Sequence, residues 1–160
     1  MLIDCQPRRF DASRTPLLCI LIIIQPAIRK AADSGVTNAY AGTLIVLDPV
    51  DPDPKAPLFT AHVGEPDTQF LTNVEGKVAV TIRTGMDSSR VRQDFPHLYR
   101  EGDIKYPGAI IREGLIVSFS GVQGEFDEMI CEWMVAALRA LGRNRFSRPG
   151  GADESPGAYL

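Results

Sequence analysis

The stretch Ala109-Ile110-Ile111, Arg112-Glu113-Gly114, Leu115-Ile116-Val117-Ser118-Phe119-Ser120 constrains this chain more than any other. Two apolar, β-branched runs flank a polar triplet, and Gly114 can take the positive φ of a tight turn, so the segment predicts a β-hairpin. Soon after it the spacing becomes helical. Phe126, Ile130, Trp133-Met134, Ala137-Leu138 and Leu141 share one apolar face, which predicts a helix starting near Glu125. Glu125, Asp127 and Glu128 fall in its first turn, where the helix dipole favours negative charge.

The upstream elements repeat this alternation of strand and helix. Gly42–Leu47 reads as a buried strand and Pro57–Val63 as its neighbour. Phe70–Arg83 reads as an amphipathic helix, because Leu71, Val74, Val78 and Ile82 recur at three- and four-residue spacing. The segment Pro16–Asp33 predicts a helix in its second half, stopped by Ser34-Gly35. Its first half is open: four isoleucines in five residues favour a strand, and Pro26 either starts or kinks a helix. Gly85–Gly102 reads as a charged surface connection with a short helix at Ser88–Gln93. The Asp-Pro loop from Asp48 to Pro54 lacks the glycine and closing glutamate of a calcium loop, and reads as turn chemistry. This order predicts an α+β fold, an antiparallel sheet with helices packed against it.

The chain has 160 residues, of which 44% are apolar, enough for one core without metal or disulfide staples. Residues 1–14 are expected to form a flexible extension, 15–142 the domain, and 143–160 a disordered tail rich in Gly, Pro, Arg and Ser. A net charge of −3 gives no general attraction to nucleic acid or to an anionic membrane. The apolar run Leu17–Ile24, preceded by Arg8, Arg9 and Arg14, has the outline of an export signal. It is interrupted by Gln25-Pro26 and is shorter than the roughly twenty residues a bilayer needs. It reads as a first packed element of the fold, shared with a second copy in one alternative. Cys5, Cys19 and Cys131 are scattered and odd in number, as in a reduced cytoplasmic protein, and Cys131 is expected to be buried and inert.

No Gly-x-Ser-x-Gly elbow is present, and no zinc-ligand spacing can be found, so no catalytic residue and no metal site is assigned. His62, between Ala61 and Val63, is either an iron ligand or acid–base group, or a hydrogen-bonded strand residue. Lys77, on an otherwise apolar helix face, is a candidate counter-charge for a carboxylate ligand. Asp127 and Glu128 form a carboxylate pair suited to proton transfer or to the helix dipole, and in an alternative reading as an enzyme acting on a small organic acid or cofactor, His62 and Asp127 take the acid–base roles. Gly121 and Gly124 can expose backbone N–H groups to an anion, and Tyr106-Pro107-Gly108 lines the same cavity or turns the chain.

Three blocks carry a resemblance: Ala31-Ala32-Asp33-Ser34-Gly35-Val36; Phe59 to Glu65 leading to a helix with Lys77-Val78-Ala79; and Ser120-Gly121-Val122-Gln123-Gly124-Glu125-Phe126-Asp127-Glu128. From about Gln25 to Leu141 the chain resembles the GlcG/HbpS family of small haem-binding or haem-degrading-like proteins, which includes the C-terminal domain of PduO. The resemblance implies a profilin-like antiparallel sheet flanked by helices, a small-molecule ligand such as haem or another tetrapyrrole, and a homo-oligomer. It implies no settled reaction. Carried over by position, Lys77, Ser120, Gly121 and Asp127 match family positions, while His62 stands where the family often has arginine. The chain has no histidine before His62, where haem-binding members place one.

Overall fold

The structure is a computed structural model that describes residues 15–147. The expected extension at 1–14 and the tail beyond 147 lie outside the described residues. Four strands, β1 (Gly42–Val46), β2 (Phe59–Val63), β3 (Ala109–Arg112) and β4 (Leu115–Ser120), form one antiparallel sheet in the order β2-β1-β4-β3. Helices α1 (Thr15–Asp33) and α4 (Gly124–Phe146) cover one face, and α2 (Thr68–Thr84) covers the other. The fold is the α+β architecture expected from the sequence.

Alternation along each strand divides the core. Leu44, Val46, Val63, Ile110, Val117 and Phe119 point toward α1 and α4, where they meet Ile24, Ile28, Ile130, Met134 and Leu138. Ile45, Leu47, Ala109 and Ile116 point the other way, toward Val74 and Val78 of α2. A register slip of one residue would exchange these two sets, so the pairing of Leu44 with Phe119 and of Ile110 with Val117 is fixed by burial. The hairpin turn is the two-residue Glu113-Gly114, with φ of 51° and 86°. Two positive values in succession give the primed turn whose twist matches the strands.

The helices end where local chemistry supplies partners. Asp67 caps α2 by accepting the Gln69 N–H at 2.8 Å, and the Gly85 N–H closes its last turn on the Thr81 carbonyl. At the Ser34-Gly35 stop of α1, the Val36 N–H returns to the Ala31 carbonyl at 2.9 Å. The isoleucine run that left α1 open is helical throughout, with Pro26 inside the helix. Packing of Ile24 and Ile28 against α4 outweighs the intrinsic β preference of that run. At the other end, α4 continues past Gly142 to Phe146. In the Asp-Pro loop, Asp48 and Asp53 accept the N–H groups of Val50 and Lys55, each at 2.8 Å, as ordinary turns do.

The segment after α2 is more than a surface connection. Helix α3 (Ser88–Asp94) buries Ser88 and Val91 and lies along the outer edge of β3. Ser88 Oγ accepts the Ala109 N–H at 3.0 Å, and Asp87 Oδ1 accepts the Ile111 N–H at 2.9 Å. Arg112 of the same strand grips both Asp87 oxygens, at 2.7 and 2.9 Å, and also pairs with Glu132 of α4. These neighbours hold the Arg112 guanidinium even more firmly protonated than usual, its hydrogen bonds to Asp87 contributing most. Side chains thereby occupy the donors that an edge strand would otherwise leave open.

Candidate functional site

Helix α2 places Phe70, Asn73 and Lys77 on one stripe by their three- and four-residue spacing. Val74 and Val78, beside that stripe, anchor the helix on the sheet. Lys77 is 1% exposed, and its ammonium reaches beyond the ladder of β3 and β4. There Nζ donates to the Phe119 carbonyl at 2.9 Å and to Asp127 Oδ2 at 2.8 Å. Asp127, 2% exposed in the first turn of α4, uses its other oxygen to accept the Val122 N–H at 3.1 Å. The ion pair therefore joins α2 to α4, which pack on opposite faces of the sheet.

Room for the pair depends on Gly108, which has a φ of 118°. A β-carbon at that position would lie 2.7 Å from the Asp127 Cβ and 2.7 Å from Lys77 Nζ. Any side chain would displace one of the charges, in a backbone conformation that L-residues rarely adopt. Burial pushes the Asp127 carboxyl up to about 6, opposed by the Lys77 charge and hydrogen bond and by the backbone N–H groups of Val122 and Gly121.

A cleft of about 460 Å³ opens above this pair. Its walls are Phe70, Asn73 and Lys77 from α2; Ser89, Arg92 and Gln93 from α3; and Tyr106 and Pro107 from the approach to β3. Ser120, Gly121 and Val122, then Gly124, Glu125 and Asp127 at the start of α4, complete it. Ser120 Oγ accepts from the Asn73 amide at 3.4 Å. Cys131 lies buried beneath, its thiol 3.5 Å from the Gly108 carbonyl, and burial raises it well above the usual thiol range.

Five of the six residues singled out in the sequence, Lys77, Tyr106, Ser120, Gly121 and Asp127, converge on this cleft. His62 does not. Strand β2 is the outer neighbour of β1, and α2 packs on β1, β3 and β4. The imidazole is exposed on the sheet face that carries α2, sharing a 3.0 Å hydrogen bond with Thr43 Oγ1. An acid–base partnership of His62 with Asp127 is therefore not assembled. His97 is also exposed, in the short 3-10 turn Pro96–Leu98, and lies outside the cleft.

Two sequence readings are revised here. Lys77, read as a counter-charge for a ligand carboxylate, is paired with Asp127. Asp127 does stand in the first turn of α4, as its helix-dipole reading expects, but its charged partner is Lys77 and not Glu128. Glu128 faces α3, where burial raises its carboxyl and a Ser89 hydrogen bond opposes the shift. The sequence reading also missed Arg92 and Asn73. The Phe70, Asn73, Lys77 spacing could have revealed Asn73, whereas nothing in the local pattern of α3 marks Arg92.

An antiparallel four-stranded sheet with helices on both faces, and a polar cleft where the hairpin runs into the last helix, defines a profilin-like α+β domain. Solved structures share that fold. Protein ORFY of Klebsiella pneumoniae, from the DUF336 family, superposes with a TM-score of 0.55 at 15% identity, covering 77% of this chain and 90% of that one. Ybr137w aligns with a TM-score of 0.50 at 14% identity over 74% and 76% of the two chains. A double mutant of HbpS from Streptomyces reticuli gives 0.50 at 16% identity over 76% and 85%. The sequence matches no family model and no curated protein. The likeness is one of fold: the α+β architecture expected from the sequence is shared with these DUF336 and HbpS structures. No helix of the described residues is long and apolar enough to cross a membrane.

Proposed function

We propose that this chain is a small-molecule-binding domain of the GlcG/HbpS type whose ligand occupies the cleft above Lys77 and Asp127. The observation that carries the reading is the buried ion pair flooring an open cavity of about 460 Å³. That volume lies within the range of ordinary ligand pockets, which runs from about 300 to 1,000 Å³. A buried charge pair is costly to desolvate and is weak evidence of stabilisation, so its position under a cleft supports a role in shaping a binding surface. Backbone amide NMR during a screen of small ligands tests this. Hits are expected to shift Ser120 to Asp127 and to leave Thr60 and His62 of β2 still. Hits that map to β2 would sink the reading.

A tetrapyrrole is the finer form of the proposal. Among the described residues, no histidine, cysteine or methionine lines the cleft. Tyr106 is the lining side chain of a type that ligates haem iron, through its phenol oxygen. Haemin bound here would give a saturable Soret shift that Tyr106→Phe abolishes and His62→Ala leaves intact. A shift lost only in His62→Ala would place haem elsewhere.

A second reading, self-association, is favoured by Ile22 and Ile23 of α1, which are 59% and 63% exposed. Under it, Ile22→Glu would lower the sedimentation coefficient at micromolar concentration. A monomeric parent protein would remove this reading.

A further inference from the structure

We infer that the cleft selects a small organic acid with a flat apolar body, whose carboxylate is held at Arg92 and not at Lys77. The inference rests on the reading of the cleft as a ligand site. Among the described residues, four charged side chains line it: Lys77, Arg92, Glu125 and Asp127. Lys77 and Asp127 cancel at 2.8 Å, and the ammonium spends a second hydrogen bond on the Phe119 carbonyl. Neither has a full charge left for a ligand.

Arg92 differs. It stands in no ion pair among the described residues, and its guanidinium makes one long hydrogen bond, 3.4 Å from Nη1 to the Lys105 carbonyl. Most of its five donors have no acceptor among the described residues, and they sit in the planar fork that matches a carboxylate two bonds at a time. Other unspent groups of the cleft are donors as well. Ser120 is 5% exposed and accepts from Asn73, leaving its own hydroxyl hydrogen unused. The N–H groups of Gly124 and Glu125, at the start of α4, have no acceptor among the described residues. The Gln93 amide offers both a donor and an acceptor, and the Glu125 carboxylate is an acceptor whose charge the positive end of the α4 dipole offsets. Phe70, Pro107 and the 58%-exposed Tyr106 supply the apolar walls for a ring.

Phenylacetate, phenylacetamide and phenethylamine share one ring and differ in charge, so they separate these terms. Each is titrated into the full-length protein and followed by backbone amide NMR. Phenylacetate is expected to saturate with shifts at Gly121, Gly124 and Glu125, and to bind at least tenfold tighter than phenylacetamide. Arg92→Gln is expected to bring acid and amide to parity, whereas Arg90→Gln, two residues earlier in α3 and outside the cleft, should leave the preference intact. Equal or tighter binding of the amide or the amine at the same resonances would overturn acid selection and leave the ligand site standing. Silence of those resonances with all three probes would overturn the site as well. An acid preference that survives Arg92→Gln would overturn the assignment to Arg92.

Discussion

Asp127 of α4 and Lys77 of α2 meet at 2.8 Å from opposite faces of one sheet, and both are almost sealed from solvent. Removing one member of a buried pair strands the other charge, at a cost of roughly 3–5 kcal/mol. Lys77→Met should therefore lower unfolding stability in a denaturant titration by that order. The double variant Lys77→Met, Asp127→Leu should recover much of the loss, because no charge is left unpaired. Two single losses that simply add would mean that the residues do not act as a pair.

The pair also predicts a pH dependence of definite sign. In the folded protein Asp127 titrates near 6, against an ordinary 3.8. The folded state thus holds a proton that the unfolded chain releases, so this group's contribution to stability is greatest below pH 4 and is lost as pH rises through 6. Carboxyl-carbon NMR is expected to show a midpoint near 6, moving higher in Lys77→Met as the principal opposing charge is removed. A midpoint near 4 in the parent protein would contradict the burial on which the reading depends.

Gly108 sets the space in which these charges meet. Gly108→Ala puts a β-carbon 2.7 Å from two of their atoms, at a φ of 118°. Backbone strain of this type costs on the order of 1–3 kcal/mol before any displacement of the neighbours is counted. The expected result is a clear drop in melting temperature together with altered Asp127 and Val122 resonances. An unperturbed alanine variant would show that the close approach is not enforced.

Asp87 closes the outer edge of β3 by accepting the Ile111 N–H and two hydrogen bonds from Arg112. Asp87→Ala leaves that N–H without its acceptor, a loss of about 1–3 kcal/mol if it stays desolvated. Hydrogen exchange at Ile111 should accelerate far more than at Ile110 or Val117. Uniform acceleration would report global destabilisation instead of an opened edge.

The periodic elements were legible because burial writes a repeating signature. Leu71, Val74, Val78 and Ile82 mark α2, and the two apolar runs about Glu113-Gly114 mark the hairpin. The isoleucine run of α1 was ambiguous because local preference and tertiary packing disagree there, and packing against α4 prevails. In the site, residue type pointed to Lys77 and Asp127 singly, but their partnership spans 50 positions of chain and follows from sheet order, which no local pattern encodes. His62 was overvalued for its chemistry, although buried Ala61 and Val63 on either side already imply by alternation that it points to the other face. The segment from Gly85 to Gly102 looked like filler because its work is done by single polar atoms, Asp87 Oδ1 and Ser88 Oγ, and by Arg92 in the cleft wall.

The closure of β3 makes the sheet unequal at its two ends. Asp87 and Ser88 seal one border, while β2, at the other, has no strand or capping side chain along its outer side among the described residues. A ribbon with two adhesive borders can add units without limit, as fibrils do. With a single adhesive border, two molecules joined border to border have exhausted their capacity to grow. For the described residues the geometry therefore sets a ceiling: strand-to-strand contact through this sheet would terminate at a pair.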